Sequence, residues 1–158
     1  MRNLFLLNLF LAAGFDAVLG QPNLRGFLAG FAIGYIVLWI TRPLYEPTSY
    51  FRRVPKIIEL ALFFIYQLII SNFRVLWDVI TPTHISKPGV IAVPLDAKSE
   101  FEIMLVANLV SLTPGTLSLD VSEDRKKLYV HQMFLEDVET ARMDIKNGIE
   151  KKVLEAVR

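Results

Sequence analysis

"SLTPGTLSLDVSEDRKKLYVH", Ser111 to His131, is the stretch that decides how this chain is built. Leu112–Thr116 stops one element with a Pro-Gly pair. Pro114 and Gly115 fit positions i+1 and i+2 of a type II turn, where glycine supplies the positive φ. "TLSLDVS" then alternates, which assigns Leu117, Leu119 and Val121 to one face and Ser118, Asp120 and Ser122 to the other. "EDRKK" is a charged hairpin loop, and "LYVHQM", Leu128–Met133, returns as the next strand. The pattern is that of a small water-facing α+β body, and nothing before residue 80 resembles it.

Of the 158 residues, 53% are apolar, more than the roughly 45–50% of soluble domains. The apolar runs concentrate in residues 3–80 and the charge beyond residue 95. A net charge of +1 without a basic stripe gives no case for nucleic acid. The chain has no cysteine, which excludes disulfides and thiolate metal sites.

The region 1–80 reads as membrane helices at 3–20, 24–41 and 56–80. The first is about 27 Å long, just enough for a hydrocarbon core of about 30 Å. Arg2 followed by an apolar core also has the layout of a signal peptide. Its length, Asp16 near the end and a second apolar run directly after it count against that alternative. The link "QPN" is tight, so the first two helices form an antiparallel hairpin. Gly26, Gly30 and Gly34 recur every four residues, a small-residue ridge that lets another helix approach closely and a candidate partner contact. Trp39 and Tyr45 lie towards the far end, where amphipathic rings favour the interface.

In the third helix, Glu59, Tyr66, Gln67, Ser71, Arg74 and Asp78 fall within about a third of the circumference. Arg74 and Asp78 have the i,i+4 spacing of an ion pair. Two arrangements remain open. The helix lies at the membrane surface with a solvated stripe, or it spans at a tilt with Glu59, Gln67, Arg74 and Asp78 against a partner protein. The basic residues Arg2, Arg42, Arg52, Arg53 and Lys56 put the N-terminus and the Thr41–Lys56 loop in the cytoplasm. A spanning third helix then sends the rest of the chain outside; a surface helix keeps it cytoplasmic.

A breaker-rich linker, 81–89, leads into an α+β docking module, 90–158. Val90–Asp96 reads as a strand, with Pro94 marking an edge or an end. Ser99 and Glu102 form a capping box ahead of a short apolar helix. Val138, Ala141, Ile145, Ile149, Val153 and Val157 mark one stripe of a terminal helix. The expected order is β-α-β-β-α, a small antiparallel or mixed sheet covered by helices.

Reactive chemistry is not visible. "TPGT" lacks the lysine and glycine spacing of a phosphate loop, and His84 and His131 stand alone in sequence. No catalytic, cofactor-binding or metal residue is assigned. Asp16 and Glu59 are the ionisable groups nearest lipid, where charge is costly, and an ion- or proton-handling role for either stays open.

"NLVSLTPGTLSLDVSEDRKKLYVH", Asn108–His131, closely resembles the hallmark segment of the E subunits of Mrp-type (Mnh-type) multisubunit cation/proton antiporters. The apolar N-terminal helices, the "PLYEPTSYFRR" loop and the length are similar too, so the resemblance covers essentially the whole chain. It implies an accessory, non-catalytic subunit in a prokaryotic cell membrane, working with other antiporter subunits that exchange Na+ or another monovalent cation for protons. It brings no cofactor and no catalytic residue, and it implies a cytoplasmic C-terminal module. The equivalent subunit of an ion-pumping hydrogenase-type complex is the related alternative. From another class, a stand-alone membrane-anchored ligand-binding protein requires a pocket of converging polar groups, and none is visible in the sequence.

Overall fold

A computed structural model describes residues 2–20, 23–44, 49–82 and 85–158. His84, Tyr45, the Arg2 side chain and the Gln21–Pro22 part of the link lie outside what is described. The chain forms two compact units, Met1–Val54 and Pro55–Arg158.

The first unit is a helical hairpin, α1 (Arg2–Val18) and α2 (Leu24–Ile40). The link is closed by side chains. Asn23 caps α2, its Oδ1 accepting from the Gly26 amide at 2.9 Å, and the Asn23 amide donates to Asp16 Oδ1 at 3.2 Å. Such caps satisfy the orphan donors of a helix start, which is acute where water is scarce. Gly26, Gly30 and Gly34 are buried. They face Asp16, Ala12 and Asn8, which recur at the same four-residue interval along α1. The ridge is thus filled from within the chain, by its own first helix.

A third helix, α3, runs from Tyr50 to Ile80, beginning before the expected Lys56. Pro55 sits inside it and has no N–H for the carbonyl of Phe51. That carbonyl instead accepts from the Tyr35 hydroxyl at 3.2 Å, so the helix continues through the proline. Tyr50 is fully buried. It packs on Phe5, Tyr35 and Phe51, and its hydroxyl oxygen accepts from Asn8 Nδ2 at 2.7 Å. Among the described residues, α3 is the helix long and apolar enough to cross a membrane; α1 and α2 are shorter apolar helices.

In the second unit, three antiparallel strands, β1 (Gly89–Pro94), β2 (Thr116–Val121) and β3 (Lys127–Gln132), order as β1-β3-β2. Helix α4 (Glu100–Leu112) and a terminal helical run cover one face. The core joins Ile91, Val93, Leu128 and Val130 of the sheet to Val106 and Val110 of α4 and to Ala141, Ile145, Ile149 and Val153 of the run. That run is α5 (Val138–Asp144), a π-helical turn (Ile145–Glu150) and α6 (Lys151–Val157). Its apolar residues step by four, and each step overruns an α-helical turn by about 40°. The wider π turn absorbs that overrun and keeps the stripe on the sheet.

Two local expectations are corrected. Strand β2 does not alternate as read, because its register shifts between Ser118 and Asp120. Leu119 is the extra residue of a bulge. Leu117 and Leu119 are about half exposed, while Val121 packs against the core. The i,i+4 pair of Arg74 and Asp78 does not form; both side chains are engaged elsewhere, as described below.

Candidate functional site

The Pro-Gly turn is fastened on three sides. Gly115 has φ of 86°, and the Thr116 amide donates to the Thr113 carbonyl at 3.1 Å, closing the turn. The Thr113 and Thr116 hydroxyls donate to the carbonyls of Leu109 and Val110, at 3.0 and 2.6 Å, satisfying the end of α4. The Gly115 carbonyl accepts from the Met133 amide at 2.7 Å, tying the turn to the end of β3. A Cβ on Gly115 meets only ordinary contacts, the nearest being the Phe134 ring at 3.4 Å. Its constraint is therefore the backbone angle and not space.

The turn forms one wall of a cleft of about 750 Å³. Facing it are Gln67, Ser71 and Arg74 of α3, and the rim carries Glu136, Asp137 and Asp144. The Arg74 guanidinium lies 5.8 Å from the centre of the Phe134 ring, a cation–π contact. Asp137 caps α5 through the Thr140 amide at 2.7 Å, and this bond holds its carboxyl below the ordinary value. Asp137 thus favours its anionic form on the rim of the cleft that Arg74 also lines. These groups suit the holding of a polar or charged segment.

The other stripe residues tie α3 to its neighbours. Glu59 pairs with Lys56 at 3.0 Å and with Lys152 at 2.6 Å, and Lys56 pairs with Glu155 at 2.8 Å. The Lys152 ammonium also lies 5.0 Å from the Phe63 ring centre. Asp78, buried, accepts from the amides of Ile85 and Ser86 and so anchors the exit from α3. Asp16 holds the hairpin link as described. Among the described residues no three His, Cys, Asp or Glu side chains group closely enough to hold a metal ion.

One buried carboxylate, Glu150, and one ion pair of another, Glu102 with Arg158, escape a sequence reading. Glu150 accepts from the Asp96 and Ala97 amides at 2.6 and 2.9 Å, pinning the exit of β1 to the π turn. Glu102 completes the capping box with Ser99 and also pairs with Arg158 at 3.0 Å. That guanidinium, with the Lys98 and Ser99 amides, holds the Glu102 carboxyl down to about 2. Both act on the fold of the module.

Apolar N-terminal helices ahead of a small three-stranded α+β body are the layout of a membrane-associated protein. A model of the Na+/H+ ion antiporter subunit family (MNHE) matches residues 8–156, and the chain belongs to that family. It is 35% identical over 153 residues to the E subunit of the Na(+)/H(+) antiporter of Bacillus subtilis, covering 97% of each chain. The same identity and coverage hold for the corresponding E subunit of Alkalihalophilus pseudofirmus. Among solved structures, a chain of the Mrp complex from Dietzia sp. DQ12-45-1b matches with a TM-score of 0.51 and 27% identity, over 65% of this chain and 96% of that one. A chain of the membrane-bound sulfane sulfur reductase, an archaeal respiratory membrane complex, shares the fold with a TM-score of 0.59 at 22% identity, over 95% of this chain and 97% of that one.

Proposed function

We propose that this chain is a non-catalytic accessory subunit of a multisubunit Na+/H+ antiporter in a prokaryotic membrane, where it supports assembly and stability of the complex. The observation that carries this is the match to the antiporter subunit family across residues 8–156. The likeness to a chain of an Mrp complex supports the multisubunit setting. In this reading α1 and α2 cross the bilayer as a hairpin, each about 26 Å long. The basic residues Arg42, Arg52, Arg53 and Lys56 favour a cytoplasmic side for the loop after α2, and the module is cytoplasmic with it. The stripe residues Gln67 and Arg74 and the Pro114–Gly115 turn form the face offered to a neighbouring protein of the complex.

The test is expression with and without the remaining subunits, followed by mild detergent extraction and sizing. The chain is expected to co-purify with larger membrane proteins and to be degraded or aggregated alone. A stable, monodisperse monomer that ignores its co-expressed partners overturns the assignment.

A further inference from the structure

Helix α3 spans 31 residues, about 46 Å, half as long again as a hydrocarbon core of about 30 Å. Length and composition alone permit it to cross. Its packing within the second unit argues otherwise. Lys56 and Glu59 engage Glu155 and Lys152, Phe63 lies against Gly148, and Arg74 covers Phe134. These contacts extend over about 18 residues of helix, about 27 Å. A crossing helix would carry the module alongside it through nearly the full depth of the bilayer. Glu136, Asp137, Asp144 and Lys151 are exposed on that module, and none has a place in hydrocarbon.

The opposite side of α3 has the reverse character. Ile58, Leu62, Ile65, Ile69, Phe73 and Leu76 are each half or more exposed. With Ile57 and Ile70 they cover an arc of about 220°. One partner helix covers a far narrower seam. Asn72 lies within this arc, and its amide donates to the Leu68 carbonyl of its own helix at 2.8 Å, leaving less polarity to expose; Glu59 lies at the margin, neutralised by Lys56 and Lys152. Tyr66 and Trp77 stand at one margin of the arc, beside the polar stripe, where amphipathic rings meet headgroups.

We infer that Lys56–Ile80 lies in the plane of the membrane interface, with its wide apolar arc in lipid and its polar stripe beneath the α+β module. The occupant of the exposed face is the acyl region of one leaflet. This rests on the membrane-subunit reading, and it gives α3 the task of seating the module on the bilayer surface without a further crossing.

The experiment uses the full chain in its assembled complex in lipid vesicles. The absence of native cysteine allows single spin labels at Ile58, Ile65 and Phe73, with a control label at the exposed Phe10 of α1. Collision with oxygen and with a water-soluble nickel chelate gives the depth of each. Labels 58, 65 and 73 are expected at one common depth, about 5–10 Å below the headgroups. A crossing helix instead separates positions 58 and 73 by about 22 Å of depth, and that result overturns the inference. Labels shielded from both reagents show a protein cover and overturn it equally. A label at Phe10 in water contradicts membrane insertion itself, so the two failures are distinguishable.

Discussion

Gly30 of α2 lies directly on the backbone of Ala12 in α1: a Cβ at Gly30 would come within 3.0 Å of the Ala12 carbonyl oxygen and 3.1 Å of its Cα. Backbone cannot give way as a side-chain end can. Gly30→Leu is therefore expected to destabilise the hairpin by about 1–3 kcal/mol, the usual cost of overpacking a tight interface. Insertion should be unchanged, since the substitution raises apolarity. Thermal unfolding in detergent checks the first expectation and carbonate extraction of membranes the second. An unshifted melting curve would mean that α1 and α2 do not pack through this ridge.

Tyr50→Phe should weaken the same unit. The change keeps the ring contacts with Tyr35 and Phe51 but leaves Asn8 Nδ2, buried, without its acceptor. The expected loss is about 1–3 kcal/mol, and Asn8→Leu combined with Tyr50→Phe should recover part of it because the stranded donor is gone. A double-mutant cycle by thermal melting measures this; strict additivity would contradict a direct bond.

How much of this is legible in the sequence depends on whether a signal is local. The Ser99–Glu102 capping box and the Pro114–Gly115 turn follow from two or three adjacent residues, and both can be read directly. The helical N-terminal region and the small sheet with its helices are also plain from periodicity. The partner of the glycine ridge is not, although Asn8, Ala12 and Asp16 repeat at the same interval as Gly34, Gly30 and Gly26. Matching two ridges requires their antiparallel register, which one helix does not state. The bulge at Leu119 is hidden because alternation says nothing of an inserted residue. Glu150 is missed for a related reason: the π turn reorients it, and a count of 3.6 residues per turn does not anticipate that. The stripe on α3 is recognisable, but its opposition to Lys152, Glu155 and Phe134 is long-range.

Stability of the module should depend on pH through Glu102. Its carboxyl is lowered from an ordinary 4.5 to about 2, chiefly by Arg158 and then by the Lys98 amide. A value depressed by folding means the stabilisation is complete above pH 4.5 and is lost as pH falls towards 2. Melting temperature in that window should fall more steeply for the native chain than for Glu102→Gln, whose side chain does not titrate. Parallel curves for the two would show that Glu102 is not held by Arg158.

The side of the membrane is open to a simple labelling measurement. Ser122 is stitched into its hairpin by the Lys127 amide and Asp124, so the exposed neighbour Glu123 is the better reporter. A cysteine at Glu123 should escape a membrane-impermeant thiol reagent in intact cells and react after permeabilisation. A cysteine at Asn23, in the link between α1 and α2, should react in intact cells. Labelling of position 123 from outside would reverse the proposed orientation of the module.

The subunit is expected to contribute structure and not an ion path, and a single position, Gly115, separates the two roles. At φ of 86° a β-branched residue is strained, with a cost of about 1–3 kcal/mol. Asparagine tolerates that region better. The decisive measurement is Na+/H+ antiport in membrane vesicles, normalised to assembled complex, for the native chain, Gly115→Asn and Gly115→Val. The amount of complex is expected to fall in the order native, Asn, Val, while activity per complex and its dependence on Na+ concentration stay the same. A fully assembled Gly115→Val complex with a shifted Na+ dependence would contradict it and place the Pro-Gly turn on the path of the ion.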